Sequence, residues 1–257
     1  LLLHWIISQA NLIKRIILLL MSLEEGTKIL ILLPPWTEFL LIRLERKFAS
    51  LKENSQKALV AYLVAGDPDI STTLELMHQF VLSGVDIIEL GVPFTDPIAE
   101  GPIIQAAHDR ALQANTSLDM IFSLVEEFRS KDSETPVILM GYINTFLANS
   151  KALESIHERG TDAVLIVDVP GESSLEDIGI QNKNIASISL ISPTTDNDRI
   201  QKICMSSSGF IYYVTLRGVT GASNLNESEI QTNILNIRNS TNLPVLAGFG
   251  IKTASDA

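Results

Sequence analysis

Val85-Asp86-Ile87-Ile88-Glu89-Leu90-Gly91-Val92-Pro93-Phe94-Thr95-Asp96-Pro97-Ile98-Ala99-Glu100-Gly101-Pro102 runs from an apolar segment straight into a stiff, acidic turn. Val85 to Leu90 reads as a buried strand, because Val, Ile, Ile and Leu crowd a short stretch bounded by turn residues. A carboxylate at the carboxyl end of such a strand is costly unless it is paired, hydrated or used. Glu100 then offers a second carboxylate beside Gly101-Pro102. Two acids on one rigid turn, one expected to be more buried than the other, suit general acid and base work, since burial raises the pKa of the enclosed one.

The same kind of segment recurs on both sides of this one. Strand candidates are Ala58–Val64, Val85–Leu90, Pro136–Gly141, Ala163–Val167, Ile185–Ile191, Phe210–Thr215 and Pro244–Gly248. Amphipathic stretches lie between them: Thr72–Leu82, Ser117–Ser130, Lys151–Arg159, Asp196–Ser206 and Glu227–Arg238. Ile42, Leu44, Phe48 and Leu51, set among Arg, Glu and Lys, predict an amphipathic helix ahead of the first strand. Strands alternating with helices mean βα units and a parallel sheet. Gly or Asp at most strand ends favours a (β/α)8 TIM barrel, an α/β fold, over an open doubly wound sheet. The open sheet calls for a glycine-rich phosphate turn after its first strand; Ala65-Gly66-Asp67-Pro68 is not one. The pattern supplies seven strands, so the reading expects a barrel domain over residues 41–257 that lacks its eighth strand and helix and is incomplete at the C-terminus.

Composition narrows the function classes. Of the 257 residues, 46% are hydrophobic, enough for a large core. The formal net charge of −11 argues against nucleic acid as a partner, because neutralising phosphates needs a basic face. A small phosphorylated substrate remains open, held by backbone N–H groups. Cys204 is the one cysteine, which rules out an internal disulfide and fits a reducing compartment. The four histidines are scattered and show no zinc spacing, so no metal is expected. Residues 1–40 are rich in Leu and Ile but broken by Lys14-Arg15, Glu24-Glu25 and Lys28, and no apolar run reaches a membrane span. They are expected to be an atypical N-terminal extension outside the fold, and no membrane association is expected.

The ordered segments resemble the alpha chain of tryptophan synthase from about Leu44 to Ala257. The stretch Ile88 to Gly101 looks like that family's signature over its whole length. Val64-Ala65-Gly66-Asp67-Pro68, Val167-Asp168-Val169-Pro170, Phe210 to Val214 followed by Arg217-Gly218-Val219-Thr220-Gly221, and Gly248-Phe249-Gly250-Ile251 resemble further family segments in the right order. The resemblance implies cleavage of indole-3-glycerol phosphate to indole and glyceraldehyde 3-phosphate, a retro-aldol step in L-tryptophan biosynthesis. It implies that Glu89 is the acid/base serving the ring carbon and the side-chain hydroxyl. Glu100, where the family usually has Asp, faces the ring N–H and stabilises positive charge there.

Substrate-binding positions implied by the same resemblance are Tyr212, with its hydroxyl near Glu89; Tyr142, lining the indole slot; Tyr62, an apolar wall; Thr220, in a loop that closes over substrate; and Gly221, Gly248 and Gly250 at the phosphate. Asp168 is expected in loop-to-loop contacts. His108, on a helix after the signature, is read as surface, and Cys204 as buried. The acidic residues Glu126, Glu127 and Glu172 are read as solvated. No cofactor is implied for this chain; pyridoxal phosphate belongs to the partner beta chain of an α2β2 assembly. The compartment expected is the cytoplasm, or the plastid stroma in a photosynthetic eukaryote. The alternative is a truncated, non-catalytic chain that only docks to the beta chain. A pentose-phosphate epimerase is a weaker rival, since metal-ligating His and Asp at several strand ends are not found.

Overall fold

The computed structural model describes residues 43–149, 153, 155–181, 184–215 and 227–248. Residues 1–40, as well as Thr220, Gly221 and Gly250, lie outside the described residues, and so does everything after Gly248.

In chain order the elements are α1 (Arg43–Glu53), β1 (Val60–Val64), α2 (Ile70–Leu82), β2 (Ile87–Gly91), α3 (Pro102–Gln113), α4 (Leu118–Arg129), β3 (Val137–Gly141), α5 (Ile143–Leu147), β4 (Ala163–Ile166), β5 (Ala186–Ile191), α6 (Asn197–Ser206), β6 (Ile211–Val214), α7 (Glu227–Arg238) and β7 (Val245–Gly248). The helix starts follow from local chemistry. Asp69, Ser117 and Asp196 accept from the backbone N–H of Thr72, Met120 and Arg199. Each thereby satisfies an amide that the first helical turn leaves open. At α3 the same place is taken by Gly101 with Pro102 opening the helix, where a missing N–H costs nothing.

All seven strands pair in parallel in sequence order, from β1 to β7. β2 and β3 are buried at every position, as expected of strands covered on both faces. Ile88, Leu90, Val137, Leu139 and Val164 point outward into one cluster with Phe122, Val125 and Phe128 of α4. Ile191, Ile211 and Tyr213 do the same against Ile200, Ile203 and Ile237 of α6 and α7. Each such side chain fully removed from water stabilises the fold by about 1.5–3 kcal/mol. Because neighbours along a strand alternate faces, Tyr62, Glu89, Ile138, Tyr212 and Leu246 must occupy the opposite, inner face.

The sheet is curled. Four inter-strand steps of about 4.8 Å separate β2 from β6, roughly 19 Å if the sheet were flat. Yet the charge of Glu89 on β2 raises the pKa of Tyr212 on β6, so the inner face closes around a shared interior. One end of this arc is plugged by α1. Arg43 pairs with Asp162 ahead of β4, Lys47 with Asp86 ahead of β2, and Arg46 with Glu134 ahead of β3. A Cβ on Gly209 would lie 3.2 Å from Leu44, and Phe48 meets Phe210 edge-on at 5.9 Å. The site therefore has the other end, the carboxyl ends of the strands, to itself.

Two expectations are corrected. Of the helix expected over Lys151–Arg159, Leu153 is helical, while residues 155–160 form a run of turns. Its bonds are a mixture, Gly160 N–H to His157 O and Arg159 N–H to Ser155 O, and Gly160 leaves the helical region at φ 101°. Arg129 packs where a Cβ on Gly160 would sit, which fixes that turn. His108, read as surface, is only 2% exposed. Cys204 is buried. Of the acids read as solvated, Glu126 pairs with Arg159 and Glu172 with Arg199.

Candidate active site

Glu89 is the third residue of β2, and its register partners are Tyr62 on β1 and Ile138 on β3. Its exposure is 4%. Burial is the main reason its pKa rises, to about 8, and the charge of Glu100 adds to the rise. Glu100 is 7% exposed, and burial lifts it to about 7. Glu89 is the more buried of the two, as expected, but burial raises both acids rather than one, because the turn folds back and encloses Glu100 as well. No Lys, Arg or His contributes to either shift. Each acid therefore keeps its proton to higher pH than a solvated carboxyl does.

Hydrogen bonds hold the turn that delivers Glu100. The Glu100 N–H donates to Pro97 O at 3.0 Å, and Gln105 Nε2 donates to Glu100 O at 2.8 Å. The Ala99 N–H donates to Tyr142 Oη at 3.1 Å. The Phe94 N–H donates to His108 Nδ1 at 3.1 Å. Tyr142 also stacks on Phe94, with ring centroids 4.7 Å apart and planes 17° from parallel. Burial pushes the Tyr142 phenol up to about 12, so it stays neutral. Tyr142 therefore stands against the acid turn, where its ring and hydroxyl support Glu100.

Tyr62 and Tyr212 make the same move on opposite sides of the interior. Tyr62 leans from β1 across β2, so that a Cβ on Gly91 would lie 2.2 Å from its Oη. Tyr212 leans from β6 across β7, so that a Cβ on Gly248 would lie 2.1 Å from its Oη. In both cases the glycine sits two residues beyond the tyrosine's register partner, Glu89 and Leu246 respectively. Both phenols are raised well above their ordinary value, first by burial, then by the charges of Glu100 and Glu89. The Tyr62 hydroxyl lies 3.4 Å from His108 Nε2. At Gly248 the carbonyl accepts from Thr215 N–H and Thr215 Oγ1, at 3.0 and 2.7 Å. Asp168 accepts from Ile143 N–H at 2.8 Å, which ties the turn after β4 to the one after β3.

The structure thus brings Glu89, Glu100, Tyr62, Tyr142 and Tyr212 around one interior. His108 and Phe94 belong to the same group and were not singled out as site residues. A signal for His108 was present: Ile104, His108 and Ala111 recur at helical spacing, which puts the imidazole on the apolar stripe of α3. α3 is further latched to the turn after β1 by Arg110, whose guanidinium bonds both oxygens of Asp67 at 2.7 Å. Among the described residues no group of three His, Cys, Asp or Glu side chains has the geometry to hold a metal ion, and no helix is long and apolar enough to cross a membrane.

Comparisons with known proteins agree on one family. The family model described as tryptophan synthase alpha chain matches residues 48–257. The tryptophan synthase alpha chain of Acinetobacter baumannii (strain AYE) is 45% identical over 218 residues, which span 84% of this chain and 82% of that relative. The alpha chain of Nitrosococcus oceani is also 45% identical over 218 residues, spanning 84% and 80%. Among solved structures, tryptophan synthase subunit alpha from Legionella pneumophila str. Paris superposes with a TM-score of 0.74 at 38% identity, covering 83% of this chain and 80% of that one. A chain from the tryptophan synthase α2β2 complex of Pyrococcus furiosus superposes with a TM-score of 0.69 at 33% identity, covering 77% and 81%.

Proposed function

This chain belongs to the tryptophan synthase alpha chain family, and from that membership we propose that it cleaves indole-3-glycerol phosphate to indole and glyceraldehyde 3-phosphate. The observation that carries the reading is the enclosed Glu89/Glu100 pair, both acids buried and both raised by that burial, with no basic side chain contributing to either shift.

The protonation states suit the two roles. Protonated Glu89 gives its hydrogen to the indole carbon that bears the side chain, which turns the ring into its indolenine form. Ionised Glu100 accepts a hydrogen bond from the ring N–H, where positive charge grows as that proton arrives. The Glu89 carboxylate left behind then takes the hydrogen of the adjacent side-chain hydroxyl. The carbon–carbon bond breaks, its electrons restore the aromatic ring, and the hydroxyl carbon leaves as an aldehyde. Glu89 ends protonated, as it began. Tyr212, Tyr142 and Tyr62 shape the slot around the ring. Thr220, Gly221, Gly248 and Gly250 remain assigned to loop closure and phosphate contact on the strength of the family motifs.

The step needs no metal or organic cofactor. A beta chain is the partner, in an assembly of the kind crystallised from Pyrococcus furiosus, and pyridoxal phosphate resides there. The compartment proposed is the cytoplasm, in keeping with one unpaired, buried cysteine. No observation favours a chain that only docks.

The test is turnover of indole-3-glycerol phosphate by the full chain mixed with a beta chain, together with the reverse condensation of indole and glyceraldehyde 3-phosphate. Glu89→Gln is expected to lower kcat by about 10²–10⁴-fold, the range for loss of a positioned acid/base. Undiminished turnover in that variant would overturn the assignment.

A further inference from the structure

Gln105 holds Glu100 by its backbone. Its Nε2 donates to the Glu100 carbonyl at 2.8 Å, and its own N–H donates to the next carbonyl, that of Gly101, at 2.9 Å. The acceptor is a carbonyl oxygen, so the side-chain amide must present its nitrogen there. On the other side of the acid, the Glu100 N–H donates to Pro97 O at 3.0 Å. Both peptide planes that meet at the Glu100 Cα are therefore tied down. A planar peptide leaves two soft dihedrals per residue, so fixing the planes on either side of a Cα fixes the direction in which its side chain leaves the backbone.

The Gln105 bond does not serve the helix. A helix start leaves N–H groups open, and the Gln105 side chain spends its donor on a carbonyl that lies ahead of the cap residue, Gly101. It is an exposed side chain bonded to the backbone of a buried acid. The frame that carries it is fixed elsewhere. Three residues on, His108 takes the Phe94 N–H at 3.1 Å. Residues three apart are neighbours on a helix surface, so one side of α3 holds the acid turn at Phe94 and again at Glu100. Arg110 fastens the same helix to the turn after β1 through both oxygens of Asp67. Tyr142 and His108 grip the turn before the acid, and Gln105 grips the peptide that follows it.

We propose that Gln105 is a positioning residue of the reaction: by tying the Glu100 carbonyl to the first turn of α3, it aims the Glu100 carboxyl at the ring N–H of the substrate. The proposal rests on the reading of Glu100 as the acid that meets that N–H. Its signature is a cost that exists only while there is a carboxylate to aim. Gln105→Met keeps the length of the side chain and a good helix former at an exposed position, and removes the donor. A neutral hydrogen bond shifts such an equilibrium by about 2- to 10-fold, so the productive geometry of Glu100 should lose that much of its population. Glu100 acts on charge that develops in the transition state, so the loss belongs in kcat rather than KM. Once Glu100→Gln has removed the charge, the same substitution has nothing left to misplace.

The experiment has two arms on the full chain. NMR of chain labelled in the glutamine side-chain amide and the glutamate backbone carbonyl reads the coupling across the hydrogen bond from Gln105 Nε2 to the Glu100 carbonyl carbon, in wild type and in Gln105→Met. In parallel, kcat and KM for indole-3-glycerol phosphate are measured with the beta chain present for wild type, Gln105→Met, Glu100→Gln and the double variant. The expected result is a coupling present in wild type and gone in Gln105→Met, a kcat about 2- to 10-fold lower with KM nearly unchanged, and almost no further loss when Gln105→Met is added to Glu100→Gln. No coupling in wild type, an unchanged kcat in Gln105→Met, or the same loss in both backgrounds would overturn the proposal; the last would show that Gln105 only supports the fold. A wild type that cleaves substrate while giving any of these three results leaves the functional reading standing without Gln105. A wild type that cleaves nothing overturns that reading itself, and with it any part for Gln105 in the reaction.

Discussion

Glu100 acts on Glu89 through space, and that makes the two acids separable by experiment. The Glu89 pKa is raised first by burial and second by the Glu100 charge, so Glu100→Gln removes the second cause and keeps the first. The Glu89 value should fall from about 8 but stay above the ordinary carboxyl range. In wild type the productive form has Glu100 ionised and Glu89 protonated, so kcat/KM should peak between about 7 and 8. In Glu100→Gln the basic limb should move to lower pH, and kcat should drop by about 10²–10³-fold, the usual cost of losing one preorganised electrostatic partner. A basic limb that stays in place would show that Glu89 does not sense Glu100. At this scale the sequence told part of the story. The acids are legible because each interrupts an apolar or glycine-rich context that gives it no other purpose. The burial of His108 is not, because a polar residue on a helix reads as surface unless its spacing from Ile104 and Ala111 is weighed, and no spacing reveals that Tyr62 of the neighbouring strand meets it.

Elements meet in this molecule through a few positions where size decides. Tyr212 occupies the space above Gly248, and a Cβ there would lie 2.1 Å from its Oη. Gly248→Ala should therefore push the Tyr212 ring out of place and destabilise the chain by about 1–3 kcal/mol, the usual cost of overfilling a packed interior. In a Tyr212→Ala background the same change should cost far less, and equal costs in both backgrounds by urea unfolding would refute the contact. The plugged end of the barrel depends instead on charge. Asp162 is fully buried and accepts from Arg43 at 2.7 Å, Arg129 at 2.9 Å and Val137 N–H at 2.8 Å. Asp162→Ala takes the buried carboxylate away from two guanidinium groups, and removing one partner of a buried pair costs about 3–5 kcal/mol. The unfolding midpoint in urea should drop accordingly, with Asp162→Asn intermediate. Strand ends such as Gly141 and Gly248 were legible, because runs of Val, Ile and Leu end sharply at glycine. The crossing of a tyrosine over its neighbour's glycine was not. It depends on how far adjacent strands are staggered, which hydrophobic pattern alone does not encode.

The whole molecule carries a cost for holding two unpaired acids in its interior, and that cost depends on pH. Both carboxyls have folded values above the unfolded one of 4.5, about 8 for Glu89 and about 7 for Glu100. The sign follows from proton binding. Between 4.5 and these values the folded chain binds more protons than the unfolded chain, so stability falls as pH rises through that window. Below 4.5 both states are protonated and the penalty is absent; above about 8 both acids are charged in the fold and the penalty is complete. A Glu89→Gln, Glu100→Gln chain has the same shape and no charge to bury. Its stability relative to wild type should be lowest at pH 5, rise steadily to pH 8, and level off beyond, with a total gain on the order of a few kcal/mol. Urea midpoints of the two chains across that range check it. A gap that stays constant with pH would mean that the interior reaches water freely enough to solvate both charges, and the poised protonation of Glu89, on which its role as proton donor rests, would have no physical basis.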